Sequence, residues 1–191
     1  HETLTLDYPS YILALAMGAG KTMLIGAIVA SEFAMALEYH PDGDGPFIQN
    51  ALVFAPGLTI LESLRELADV DYGGILPPRL HRPFEAAYKL IFTRQGEMDI
   101  PVIRGSRYNL VVTNTEKVRI QKRAYRHHTW TDMYAEHMLE QYQAEANLRL
   151  RAIASLPNLG LFSDEAHHTY GREMGERLKR VRQTVDYLHG K

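Results

Sequence analysis

The chain has 191 residues, 46% of them hydrophobic and 23% charged, with a formal net charge of −2. That is enough for one domain with an ordinary core, and the balance excludes nucleic-acid binding by overall charge, leaving it to local patches. There is no cysteine, which excludes a disulfide framework and thiolate metal sites and agrees with a cytoplasmic setting.

Residues 1–10 are polar and read as a lead-in loop. Residues 11–15 are an apolar run, which reads as a short buried strand. The run leads into the turn Gly18-Ala19-Gly20-Lys21-Thr22, and an apolar helix starts at about Thr22 and continues to Tyr39. Only Ser31, Glu32 and Glu38 break that helix, so it reads as one buried in a layered α/β domain. Ser31 and Glu32 also interrupt it as a membrane span, and no signal peptide is visible, so no membrane partner is expected.

The glycine turn suits a phosphate. Gly18 and Gly20 permit positive φ and let backbone N–H groups approach an anion, while the helix turns its positive dipole end to the same place. Lys21 would reach the β- and γ-phosphates, and the Thr22 hydroxyl would sit on Mg2+. A strict Walker A pattern has glycine where Leu15 stands. What remains is Gly-x-Gly-Lys-Thr between strand and helix; the blander reading is a glycine turn carrying a solvated lysine.

Residues 41–46, rich in Pro, Asp and Gly, close the helix. Residues 51–55 form a second apolar strand, stopped by Pro56-Gly57. A helix is expected over 59–67, with Thr59 and Glu62 at capping-box spacing. Residues 71–83 are rich in Gly and Pro and read as a loop. Residues 89–93 read as a strand, 96–99 as a turn and 109–113 as a further strand. Lys117, Arg119, Lys122, Arg123 and Arg126 then form a basic run with no acid. A helix fits 132–155 and breaks at Pro157-Asn158; residues 159–163 form a last short strand, and a helix fits 172–188. Apolar runs alternating with helices predict a mainly parallel sheet with helices on both faces.

The last strand ends in Asp164-Glu165. Ligands of open α/β sheets bind beyond the carboxyl ends of strands, so this pair and the glycine turn can face one crevice. Asp164 would then bind Mg2+, directly or through water, and Glu165 would accept a proton from the attacking water. An isolated Asp-Glu is usually a solvated strand end; its pairing with Gly-x-Gly-Lys-Thr sets it apart. The adjacent pairs His127-His128 and His167-His168 make poor chelates, because neighbouring side chains diverge on helices and strands.

Gly18-Ala19-Gly20-Lys21-Thr22 together with Asp164-Glu165-Ala166-His167 resembles the first RecA-like domain of superfamily 2 helicases and translocases. Residues 52–57 are similar to that superfamily's motif Ia, and residues 111–115 to its strand-end motif before the DEAH box. With Met17, Thr113-Asn114, Phe162, Ser163 and His168 added, the chain looks most like the Res subunit of type III restriction enzymes. The resemblance implies a P-loop NTPase (RecA-like) fold, a three-layer α/β sandwich with a mainly parallel central sheet. It implies ATP and Mg2+ as ligands, with Gly18, Ala19, Gly20, Lys21 and Thr22 holding ATP, Thr22 and Asp164 the metal, and Lys21 and Glu165 catalysing.

It further implies that His167 couples the site to a second RecA-like domain, and that Pro56, Gly57, Thr113 and Asn114 touch the DNA backbone. A modification methyltransferase subunit would be a partner of the parent protein. The first residue is His1, and residues 186–191 read as a helix end with nothing after it, so the chain is expected to be a fragment. It contains no motif III, second RecA-like domain or nuclease segment, and no adenine-reading motif precedes Leu13. Without the second domain's arginine finger, which contributes roughly 10³–10⁵ in rate elsewhere, turnover by this piece alone is expected to be very slow. An RNA helicase of the DEAH type, a non-catalytic ATP-binding module and a small-molecule P-loop kinase are the alternative readings.

Overall fold

Ala51, Leu52 and Val53 are each at most 1% exposed. A strand apolar on both faces must be covered on both and so belongs inside a sheet. In the computed structural model, which describes residues 11, 13–16, 18–43, 45–55, 64–93, 104–114 and 150–163, this strand sits between two others. The strands are β1 (Asn50–Ala55), β2 (Lys89–Phe92), β3 (Asn109–Asn114) and β4 (Leu159–Ser163). They form one sheet in the order β2-β3-β1-β4, and every pairing is parallel. The architecture is α/β, and all four expected apolar runs from residue 51 onward are strands.

One face of the sheet is covered by helices. In α1 (Lys21–Tyr39), Ile25, Val29, Phe33 and Ala36 recur at helical spacing and pack into one cluster with Ala51, Val53, Leu110 and Val112. Gly26 lets the loop beyond the 3-10 turn Leu64–Ala68 come close: a Cβ there would lie 3.1 Å from Val70 Cγ2 and 3.4 Å from Leu67 Cδ2. Leu52 and Val111 alternate with the cluster residues along their strands; they are buried apart from it, as are Leu150, Ile153 and Leu156. Residues 150–154 are helical, within the helix expected to end before Pro157.

Three expectations change. Residues 11–15 were read as a buried strand. Tyr11, Leu13 and Leu15 are instead 88%, 57% and 37% exposed, and the described residues of this run belong to no strand. A strand needs a ladder, and the described residues of this run pair with no strand of the sheet. Second, α1 is buried on one face rather than all round: Met23, Ser31 and Tyr39 are exposed. By length and composition α1 would pass as a membrane span, but its inner face is packed in the core. Glu32, which reads as a break in that helix, accepts a hydrogen bond from the Ile48 amide at 2.9 Å.

Third, the expected loop at 71–83 contains α2 (Tyr72–Ile75) and the start of α3 (Pro78–Ala87). Asp71 caps α2 by accepting from Gly74 N at 3.1 Å. Pro78 stands at the first position of α3, where its missing N–H has no helical partner to lose. Pro83 does remove an interior hydrogen bond. Burial of Leu80 and Phe84, one turn apart and 8% and 1% exposed, holds the helix in place. Phe84 packs on Tyr72 and Tyr88 with ring centroids 5.1 and 4.8 Å away. Of the helix expected over 59–67, residues 64–67 form part of a 3-10 turn; Thr59 and Glu62 lie outside the described residues.

The amino ends of the strands are tied together by side chains. Asn50 Nδ2 donates to Ser106 O at 3.2 Å and to Pro157 O at 2.7 Å. Asn50 Oδ1 accepts from Asn109 N at 3.2 Å and Asn109 Nδ2 at 2.7 Å. The turn after α1 is fastened to the same end. Arg107 donates to Pro41 O at 3.0 Å and Asp42 O at 2.7 Å, and Gln49 Nε2 donates to Gly43 O at 3.0 Å. Gly43 has φ 97, which favours glycine, and a Cβ there would displace the Arg107 guanidinium from its bonds to Pro41 and Asp42.

Candidate functional site

The direction of α1 follows from these ties. Its last turn is fastened to the amino ends of the strands, and Phe33 meets Tyr108, just before β3, with ring centroids 5.7 Å apart. The helix therefore runs back along the sheet, antiparallel to the strands. Its 19 residues span about 28 Å, against about 20 Å for a six-residue strand. Its first turn thus lies toward the carboxyl ends of β1, β3 and β4.

The glycine turn sits at that start. Gly18 has φ 76 and Gly20 φ 78, the left-handed region expected for both. A Cβ at Gly18 would meet nothing within 4 Å, and one at Gly20 only Met23 Cβ at 3.9 Å. Among the described residues nothing crowds the turn, so glycine is favoured there by backbone conformation. Ala19 N donates to Ala16 O at 3.2 Å, closing the turn. Gly18, Ala19 and Gly20 are exposed; Lys21 and Thr22, in the first turn of α1, are half-buried. Among the described residues no side chain caps α1, and its first turn holds no acid. A helix start of this kind directs unscreened amide dipoles outward, the usual setting for a bound anion.

The strand ends are level. Ala55 pairs with Asn114 and Phe54 with Ser163. Pro56 follows Ala55 in the chain and Asp164 follows Ser163. Pro56, Gly57, Asp164, Glu165 and His167 themselves lie outside the described residues, as do the basic run at 117–126 and both histidine pairs. Among the described residues no group of three or more His, Asp or Glu could hold a metal ion. Of the expected metal ligands only Thr22 is described, with its hydroxyl in the first turn of α1.

Thr113, expected at the nucleic-acid backbone, is 1% exposed. Its hydroxyl accepts from Thr93 Oγ1 at 2.9 Å, and Thr93 is itself 7% exposed. Asn114 is the last residue of β3. Thr93 was passed over in the sequence as the tail of an apolar strand. The available signal was a hydroxyl at the position where the run Leu90-Ile91-Phe92 stops.

A separate cleft of about 290 Å³ lies beside α2 and α3, with Asp71, His81 and Glu85 at its walls and Tyr72, Phe84 and Tyr88 among its aromatic lining. It shares no residue with the glycine turn or the strand ends. Tyr72 OH donates to Leu67 O at 3.1 Å, so Tyr88 OH is the donor in the 3.1 Å bond between the two phenols. Burial pushes both phenols up from their ordinary pKa. No protein-family model, curated protein or solved structure matches the chain.

Proposed function

We propose that the chain is the ATP-binding and hydrolysing domain of a DNA helicase or translocase. In this reading it is the first RecA-like domain of a superfamily 2 motor, a P-loop three-layer sandwich, and its parent resembles the Res subunit of a type III restriction enzyme. One observation carries the reading: two left-handed glycines, at a helix start that no described side chain caps, lie toward the end of a parallel sheet where three strands finish within one residue of each other.

In this reading the amides of residues 18–22 cradle the phosphates of ATP, and Lys21 supplies the cation that meets the β- and γ-phosphates. Thr22 and Asp164 would hold Mg2+, which when bound spreads the charge developing between those phosphates. Glu165 takes a proton from the attacking water, and His167 passes the state of the site to a second RecA-like domain. DNA crosses the strand ends near Pro56, Gly57, Thr113 and Asn114, through backbone contacts that position without reading sequence. A modification methyltransferase would supply target choice in the parent assembly.

Titrating the chain with a fluorescent ATP analogue in the presence of Mg2+ tests the central step. A charge-assisted phosphate contact is worth about 1.5–3 kcal/mol, so Lys21→Ala should weaken binding roughly 10–100-fold. Equal affinity of wild type and Lys21→Ala would overturn the nucleotide site. ATPase stimulation of the full-length parent by duplex DNA, compared with single-stranded RNA, separates the translocase from an RNA helicase; no hydrolysis at all would leave only an ATP-binding module.

A further inference from the structure

We infer that Thr93 is a positioning residue for the proposed nucleic-acid track, and that Thr113 serves that track through its bond to Thr93 rather than by touching a phosphate itself. The inference rests on the reading above. Its basis is the buried hydroxyl pair joining the carboxyl ends of two neighbouring parallel strands. Thr93 is the first residue past β2, yet its amide still donates to Val112 O at 3.0 Å, one step beyond the last β2–β3 pair, Phe92 with Val112. Its hydroxyl then donates to Thr113 Oγ1 at 2.9 Å. With Thr93 at 7% and Thr113 at 1% exposure, neither hydroxyl is presented at the surface.

Two physical points follow. Threonine is β-branched and stiff at χ1, so each hydroxyl reports its own backbone position closely. The Thr93 hydroxyl also lies 3.4 Å from Val112 O, so it meets β3 at two points, and losing a buried hydrogen bond there is penalised. The pair therefore locks the spacing of the β2 and β3 ends, where the chain leaves the sheet toward the proposed DNA path. A phosphate contact made by the chain beyond Thr113 inherits its geometry from this lock.

The test measures binding of a fluorescein-labelled DNA duplex to the chain across a salt series, with unfolding midpoints measured in parallel. Thr93→Val and Thr113→Val should each weaken binding about 5–20-fold, and the double variant by less than the product of the two, because both remove the bond they share. Thr93→Ser keeps the hydroxyl and should bind within about twofold of wild type. Phe33→Leu, a core variant beside Tyr108 at the amino ends of the strands, should lower the unfolding midpoint without changing DNA affinity. Its result separates lost positioning from general loss of stability, and Thr93→Ser with Thr93→Ala keeps the test open should Thr93→Val fail to fold. The inference falls if Thr113→Val weakens binding while Thr93→Val and Thr93→Ala bind as wild type, since Thr113 would then act directly. It falls also if Phe33→Leu weakens binding as much as the threonine variants. Failure of the wild-type chain to bind DNA at any salt overturns the nucleic-acid reading itself, a result distinct from indifference of Thr93 in a chain that does bind.

Discussion

Asn50 offers the sharpest perturbation of the fold, because all four hydrogen-bonding positions of its amide are used and the residue is fully buried. Asn50→Asp keeps the shape and replaces the NH2 by oxygen. Asn109 keeps its acceptor. The carbonyls of Ser106 and Pro157 lose their donor, and the carbonyl of Pro157, 2.7 Å from Nδ2 in the native bond, then faces an anion. Two buried acceptors at about 1–3 kcal/mol each give a loss of about 2–6 kcal/mol at neutral pH.

The sign with pH follows from burial. The introduced carboxyl is desolvated and faces carbonyl dipoles, so its folded pKa is raised above the free value of about 3.9. Its neutral form restores one donor, so part of the loss is recovered below the unfolded pKa and reappears as pH rises through the folded one. Urea unfolding of wild type and variant at about pH 4 and about pH 7.5 should show a difference that grows with pH. Asn50→Ala, which removes the whole amide, should show a loss independent of pH. A difference for Asn50→Asp below about 1 kcal/mol, or one that shrinks as pH rises, refutes the four-bond account.

Gly26→Val pushes a branched side chain toward Val70 and Leu67 and should destabilise by about 1–3 kcal/mol in thermal unfolding; a neutral result would mean that the loop is not packed on α1. Gly20→Ala meets no steric obstacle but must hold φ near 78, so it should lose about 1–2 kcal/mol, whereas Ala19→Gly should not show that strain. Tyr72 and Tyr88 keep their protons in the folded chain above the free tyrosine pKa of about 10. The stability they confer is whole below that pH and is lost as pH rises beyond it. Wild-type urea midpoints should fall between about pH 9 and about pH 11, and Tyr88→Phe should make that fall shallower.

The sheet was legible because its strands are uninterrupted apolar runs. Residues 51–53 and 110–112 had to be covered on both faces, and they occupy the two central strands. The helix after the glycine turn was equally plain, and its Gly-x-Gly-Lys-Thr start has the backbone conformation those glycines suggest. Two readings failed for opposite reasons. Tyr11, Leu13 and Leu15 have strand composition, but a strand is completed by its neighbours, which composition does not describe. Pro78 and Pro83 suggested a loop, yet one occupies a helix start and the other is outweighed by the burial of Phe84. The Thr93–Thr113 bond spans 20 residues and joins strands whose adjacency only the folded sheet reveals.

The strand order also governs how this chain can assemble. β1 is synthesised before either neighbour, and its partner Asn109 follows Asn50 by 59 residues, with Leu159 later still. A nascent chain therefore carries β1 without a strand partner until β3 follows it, 59 residues later. Pairings so distant in sequence fold slowly and leave apolar surface in the open meanwhile. Yield from an expression host should accordingly depend on chaperone supply and on lowered growth temperature.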